Sequence, residues 1–137
     1  MVSIAIVRSE FNEGITARML GAARDYAKKH GIKVVAEVSV PGAFEIPVAA
    51  KKLLEREDVE GVATVGAVIR GETMHDEVIG HAVATALLRL SLKYGKPVGL
   101  GIIGPGATPG QADRRAEEYA IRSVSAVVRM LRELGRI

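Results

Sequence analysis

The stretch VEGVATVGAVIRGETMHDE, residues 59–77, combines a long apolar segment with an abrupt change to polar residues. Residues 59–69 are mostly small, apolar or β-branched, which predicts a strand covered on both faces. Gly71 and Thr73 interrupt this pattern, and the spacing beyond them predicts a helix over residues 76–94. A buried strand followed at once by a helix is the repeating unit of a parallel α/β sheet.

The same unit recurs four times in the chain of 137 residues. Strands are predicted over residues 3–8, 32–40, 59–69 and 98–103, and helices over residues 13–30, 47–57, 76–94 and 111–134. Asn12 stands where its side chain would cap the first helix. Because strands separated by single helices need right-handed crossovers, we predict one domain over residues 1–137. Its fold is an α/β three-layer, flavodoxin-like sandwich: a four-stranded parallel sheet with helices on both faces.

Composition excludes several classes of protein. The net charge of +3 arises from basic residues scattered among acids, without the basic stripe that binds nucleic acid. There is no cysteine, which excludes disulfides and thiolate metal sites. No apolar run is long enough to span a membrane, and the start of the chain lacks the pattern of a signal peptide. We therefore expect no nucleic-acid or membrane partner and a cytoplasmic location.

Two further features of the composition concern assembly and habitat. Hydrophobic residues make up 48% of the chain and the mean hydropathy is +0.19. A monomer of this size would not bury so much apolar surface, so we expect subunit interfaces. Asn12 is the only asparagine and Gln111 the only glutamine, and scarce amides with abundant charged residues are typical of thermophiles.

Open parallel sheets bind ligands beyond the carboxyl ends of their strands, so a site is expected in the loops around Phe11, Phe44, His75 and Gly104. The two phenylalanines of the chain both lie in these loops rather than inside an element. They would either stack on a flat ring or plug the end of the core. Glu45 would accept hydrogen bonds from the hydroxyls of a polyol or complement the start of a helix.

Polar residues in the other two loops suit an anion and proton transfer. Backbone N–H groups from Gly71 to Thr73, at a helix start, form an anion site or an ordinary turn. His75 would transfer protons, as imidazoles do near neutral pH, or be a solvated side chain. Arg114 or Arg115 would bind an anion or pair with acids of the same helix, namely Asp113, Glu117 and Glu118. No group of His, Asp and Glu has the spacing of metal ligands, so we expect no metal and no cofactor.

Four blocks of sequence carry a resemblance to a known family: SEFNEGIT (9–16), VPGAFEIPVAAKKL (40–53), GAVIRGETMH (66–75) and QADRRAEEYA (111–120). In these blocks the chain resembles the lumazine synthases of riboflavin biosynthesis, in their archaeal form. The resemblance implies condensation of 5-amino-6-(D-ribitylamino)uracil with 3,4-dihydroxy-2-butanone 4-phosphate, without metal or cofactor. The loops alone already favour an enzyme acting on an aromatic heterocycle and a phosphorylated small molecule.

The resemblance also implies a role for each matching residue. Phe11 would stack on the pyrimidine, and Leu100 takes the place of a strand-four residue that is often aromatic in the family. The ribityl chain or its surroundings would be held by Asn12, Ala43, Phe44 and Glu45. Backbone groups for the pyrimidine edge would come from Ala67, Val68 and Ile69. Phosphate would be bound by Glu72, Thr73 and Arg115, and protons would be shuttled by His75.

Finally, the resemblance implies small-molecule substrates and a homopentamer with active sites between subunits. In this arrangement the neighbouring subunit would supply Leu100 and Arg115 to each site. Some members of the family join twelve pentamers into a 60-subunit capsid. The chain departs from many members at residues 76–78, where an aromatic-rich stretch is common, and at Glu118, near the place of a lysine. Two alternatives stay open: dismutation of two lumazines, as in archaeal riboflavin synthase, and a non-catalytic flavodoxin-like binding module.

Overall fold

Four parallel strands form the sheet of the computed structural model, which describes residues 2–71 and 73–137. The strands are β1 (Ser3–Ser9), β2 (Lys33–Val40), β3 (Gly61–Ile69) and β4 (Val98–Ala107). Their order in the sheet is β2-β1-β3-β4, so β1 and β3 are paired on both sides while β2 and β4 form the edges. The central strands are also the most deeply buried, as their apolar sequences predict.

Helices cover both faces of this sheet. They are α1 (Glu13–Lys29), α2 (Ile46–Leu54), α3 (His75–Tyr94) and α4 (Pro109–Leu134), with a short 3₁₀ helix, Ala43–Glu45, before α2. Ile4 and Ile6 of β1 pack in the layer beneath α1 and α4, and Val7 packs in the layer beneath α2 and α3. The predicted α/β three-layer flavodoxin-like fold is therefore confirmed. No helix formed by the described residues is long and apolar enough to cross a membrane.

The connection between β4 and α4 differs from the prediction. β4 continues to Ala107 instead of ending at residue 103, because the Arg70 N–H donates to the Ala107 carbonyl at 2.7 Å beyond a bulge. α4 begins at Pro109 instead of residue 111, because Thr108 forms a capping box with Gln111. The Thr108 hydroxyl accepts from the Gln111 N–H at 3.2 Å, and the Gln111 side chain accepts from the Thr108 N–H at 2.9 Å.

Other boundaries move by a few residues. α3 begins at His75, one residue earlier than predicted, and β3 begins two residues later, at Gly61. α2 ends at Leu54 instead of residue 57, because the Lys96 ammonium donates to the carbonyls of Leu54 at 2.8 Å and Arg56 at 3.0 Å. A cation bound to the last carbonyls of a helix stabilises its end there.

The close packing of α4 on β4 depends on the absence of a side chain at Gly99. A Cβ at this position would collide with the carbonyl oxygen of Ser123 on α4. We therefore expect Gly99→Ala to lower the free energy of unfolding by about 1–3 kcal/mol, the usual cost of overpacking a core.

Urea unfolding measures this effect against the control Gly21→Ala. A Cβ at Gly21, inside α1, would meet no atom within 4 Å. Because alanine favours a helix over glycine, the control should be neutral or more stable by up to about 1 kcal/mol. Equal stability of the two variants would contradict the contact between β4 and α4.

Candidate active site

A cavity of about 670 Å³ opens at the carboxyl ends of β1, β2 and β3. Its wall comes from the loop after β1, the 3₁₀ helix after β2, and the end of β3 with the turn that leads into α3. This is the edge where ligands bind to open parallel sheets. Gly104, in the fourth predicted loop, is instead part of the edge strand β4 and does not line this cavity within the single chain.

Phe11 and Phe44 both line the cavity and are not plugs of the core, since 72% and 65% of their surfaces are exposed. Their two loops are joined through the backbone. The Phe11 N–H donates to the Pro41 carbonyl at 2.9 Å, and the Glu10 N–H donates to the Val40 carbonyl at 2.8 Å. Two exposed rings on a fixed support are suited to cover a flat ligand.

Asn12 is the N-cap residue of α1, as predicted, but its side chain does not form the expected capping hydrogen bond. Its backbone adopts the left-handed conformation (φ 64°), and its side-chain amide donates to the Ala67 carbonyl at 3.1 Å. This bond ties the loop after β1 to the end of β3. Asn12 lines the cavity together with Ala67, Val68 and Ile69.

Ala43 and Glu45 reach the cavity from the 3₁₀ helix after β2. Glu45 is half-buried and precedes α2, and its side chain forms no capping hydrogen bond with that helix. No ion pair of Glu45 is found within residues 2–71 and 73–137. A carboxylate placed in this way accepts hydrogen bonds from hydroxyl groups, although it also complements the dipole of α2.

The β3–α3 turn brings Gly71, Thr73 and His75 to the same cavity. His75 is the first residue of α3, its side chain is exposed, and its N–H donates to the Thr73 hydroxyl at 3.3 Å. The first N–H groups of a helix have no partner within the helix, so they favour an anion at this position. Glu72, which we also expected at the phosphate, lies outside the described residues.

Leu100 and Arg115 lie away from this cavity within the same chain. Leu100 is 56% exposed on the edge strand β4, and Arg115 is exposed on α4. Both therefore remain on free surfaces of the single chain that the structure describes.

The acids that might have neutralised Arg115 bind other residues. Arg18 of α1 donates to Asp113 at 2.6 Å and to Glu117 at 2.8 Å, and its hydrogen bond lowers the pKa of Glu117. Glu118 faces Arg122 at 3.6 Å. In the described part of the chain Arg115 forms no ion pair, which favours the interpretation that it binds an anion.

Sequence reasoning missed several residues of the cavity wall, and Asp76 is the most informative of them. An acid in the first turn of a helix is ordinarily exposed to solvent, yet Asp76 is 5% exposed and accepts a hydrogen bond from the Gly106 N–H at 2.8 Å. The sequence offered one signal for this role, a carboxylate directly after the histidine. Its hydrogen-bond partner is 30 residues away, so the sequence pattern does not reveal the contact. No group of three or more His, Asp or Glu able to hold a metal occurs among the residues described.

A model of the 6,7-dimethyl-8-ribityllumazine synthase family matches residues 1–134. The chain belongs to this family. Three relatives named 6,7-dimethyl-8-ribityllumazine synthase are similar to it over nearly their full lengths. The proteins of Metallosphaera sedula, Staphylothermus marinus and Pyrobaculum arsenaticum are 52%, 51% and 49% identical over 133, 131 and 132 residues. These matches cover 97%, 96% and 96% of this chain and 88%, 87% and 88% of the relatives.

The match to the lumazine synthase family confirms the resemblance read from the four sequence blocks. The relatives come from thermophilic archaea, as the scarcity of amide side chains predicts. Three of the four blocks meet at the cavity, and the fourth, residues 111–120, lies on α4 with Arg115.

Proposed function

We propose that this chain joins 5-amino-6-(D-ribitylamino)uracil to 3,4-dihydroxy-2-butanone 4-phosphate, forming 6,7-dimethyl-8-ribityllumazine, phosphate and two molecules of water. One observation carries the proposal beyond family membership. Residues from three separate loops form a single cavity with exposed rings, a carboxylate without an ion pair among the described residues, a helix start and a histidine. Dismutation of two lumazines and binding without turnover are not favoured by this membership.

The reaction suits a site without a strong nucleophile. The amine of the pyrimidine attacks the ketone and water leaves as an imine forms; phosphate is then eliminated, and the second amine closes the ring with loss of another water. Each step moves a proton, and His75 is the histidine at the cavity. Holding two reactants together supplies much of the acceleration in such reactions.

Roles follow for the residues of the cavity. Phe11 stacks on the pyrimidine, and backbone groups of residues 67–69 bind its edge. The ribityl chain or its surroundings are held by Asn12, Ala43, Phe44 and Glu45. Phosphate is held by N–H groups of residues 72–73, by the Thr73 hydroxyl and by Arg115. The exposure of both rings supports this arrangement, as does Glu45, which forms no ion pair with any residue that the structure describes.

The active unit is a homopentamer with each site between two subunits. The enzyme acts in the cytoplasm. Pentamers have the capacity to build a 60-subunit capsid. In this arrangement the neighbouring subunit supplies Leu100 and Arg115. Their position outside the cavity, on exposed surfaces of β4 and α4, supports it. So do the exposed apolar side chains of Met74 and Val78 at the start of α3. Light scattering of the purified protein distinguishes a pentamer from a capsid.

Mixing the two substrates with the purified protein tests the proposed reaction. Lumazine absorbance should appear in proportion to protein concentration, with one phosphate released for each lumazine. Two parallel reactions separate the alternatives. Conversion of lumazine alone into riboflavin would indicate the dismutase, and substrate binding without any product would indicate a binding module; either result would reject the proposal.

Phe11→Ala should raise the KM for the pyrimidine substrate about 5- to 100-fold, because stacking of a base on an aromatic side chain contributes about 1–3 kcal/mol. The folded structure should keep its stability, since 72% of this ring is exposed. Steady-state kinetics with each substrate varied in turn measure the effect. Phe11→Tyr is the control and should retain a KM close to that of the original protein; a normal KM in Phe11→Ala would exclude stacking.

A further inference from the structure

The β3–α3 turn is fastened at both ends by two consecutive residues of β4. At its start, the Arg70 N–H donates to the Ala107 carbonyl at 2.7 Å. At its end, the Asp76 carboxylate accepts from the Gly106 N–H at 2.8 Å. We call this pair of bonds, with the four residues that form them, the β4 clasp. It encloses the part of the chain that carries Thr73 and His75.

Asp76 is unusual for an acid in the first turn of a helix. It is 5% exposed, whereas its neighbours His75 and Glu77 are exposed and half-buried. A buried carboxylate costs free energy unless it is hydrogen-bonded. The bond to Gly106 meets this need, and a simple interaction with the helix dipole would not have required burial.

Packing holds α3 against the same part of β4. A Cβ at Gly80, one turn beyond Asp76, would lie 2.7 Å from the Pro105 ring. The φ of Gly106 is 87°, a conformation that side chains disfavour, and it accompanies the N–H that meets the carboxylate. Gly80 and Gly106 therefore allow β4 and the start of α3 to approach each other closely.

We infer that Asp76 is a positioning residue for the reaction: through the β4 clasp it sets the place of His75 and Thr73 in the cavity. The inference rests on the proposed function. Asp76 directly follows His75 in the chain. Loss of the hydrogen bond between its carboxylate and the Gly106 N–H therefore frees the first turn of α3. Loss of alignment by about 1 Å costs on the order of 100-fold in rate in enzymes that act by holding reactants together.

Asp76→Ala should lower kcat about 10- to 100-fold and raise the KM for the phosphorylated ketone, because Thr73 and His75 are both displaced. The KM for the pyrimidine should change less than threefold, since Phe11, Asn12 and Phe44 are held by other loops. Asp76→Asn should recover most of the activity, because an amide oxygen still accepts from the Gly106 N–H. Glu77→Ala is the control at the next residue and should stay within twofold of the original protein.

A double-mutant cycle with His75→Ala distinguishes positioning from a general loss of structure. If Asp76 acts through His75, adding Asp76→Ala to His75→Ala should lower kcat by no more than about threefold, because coupled residues are not additive. A full, additive loss of kcat in the double variant would overturn the inference, as would normal kinetics of Asp76→Ala or failure of Asp76→Asn to recover activity.

Hydrogen exchange provides a readout that does not depend on the reaction. The Gly106 amide should be protected in the original protein and in Asp76→Asn, and should exchange faster in Asp76→Ala. An unprotected Gly106 amide in the folded original protein would overturn the inference even if Asp76→Ala did not fold. Should the original protein form no lumazine, the proposed function fails. Should it form lumazine while these variants behave normally, only the role of Asp76 fails.

Discussion

Replacing His75 by alanine should lower kcat about 10- to 1,000-fold. This loss lies within or below the usual contribution of a general acid–base catalyst. The loss should not be complete, because the cavity still holds both substrates together. The KM values should change little, since the imidazole moves protons and is not the main contact of either substrate. Stopped-flow or steady-state absorbance of the lumazine measures the rate.

His81→Ala is the matched control for His75→Ala. His81 is on the same helix and exposed, but it lies in the groove between α2 and α3 and not in the cavity. Its replacement should leave kcat within about twofold. Equal losses in the two variants would show that the effect comes from helix α3 as a whole, and an unchanged kcat in His75→Ala would remove the histidine from the mechanism.

Arg115→Ala should raise the KM for the phosphorylated ketone about 10- to 100-fold, because a hydrogen bond to a charged group contributes about 1.5–3 kcal/mol. The KM for the pyrimidine should stay near its original value. Arg114→Ala is the control on the adjacent residue, and Arg115→Lys should recover part of the binding, since lysine keeps the charge but not the paired donors. An unchanged KM for the ketone in Arg115→Ala would exclude Arg115 from the phosphate site.

A mixing experiment determines whether Arg115 acts on a neighbouring subunit. When His75→Ala and Arg115→Ala chains are unfolded and refolded together, about one quarter of the sites should combine an intact His75 from one chain with an intact Arg115 from the next. Activity should therefore return at low ketone concentration, where each variant alone is nearly inactive. Activity equal to the mean of the separate variants would place both residues in one chain.

The strand–helix order could be predicted from the sequence because it depends on local patterns. The apolar run of residues 59–69 had to be a covered strand, and the two phenylalanines were informative because they fell outside every helix and strand. The meeting of Phe11, Phe44 and His75 then followed from the geometry of parallel sheets.

Other features depend on contacts between distant parts of the chain, which local patterns do not contain. The side chain of Asn12 binds Ala67 instead of its own helix, and Asp76 binds Gly106. The extension of β4 to Ala107 depends on pairing with the end of β3 beyond a bulge, which the sequence pattern alone does not show. The start of α4 is a different case, because the sequence TPGQ contains its capping box, and the prediction overlooked this local signal.

A crystal structure of the protein with bound 6,7-dimethyl-8-ribityllumazine tests the central claim most directly, since it shows where the product sits. We expect the ring system beside Phe11 at the end of β3, the ribityl chain toward Glu45, and the imidazole of His75 within hydrogen-bonding reach of the ring or of one ordered water. Product bound only in the groove between α2 and α3, with the cavity at the strand ends empty, would contradict the account.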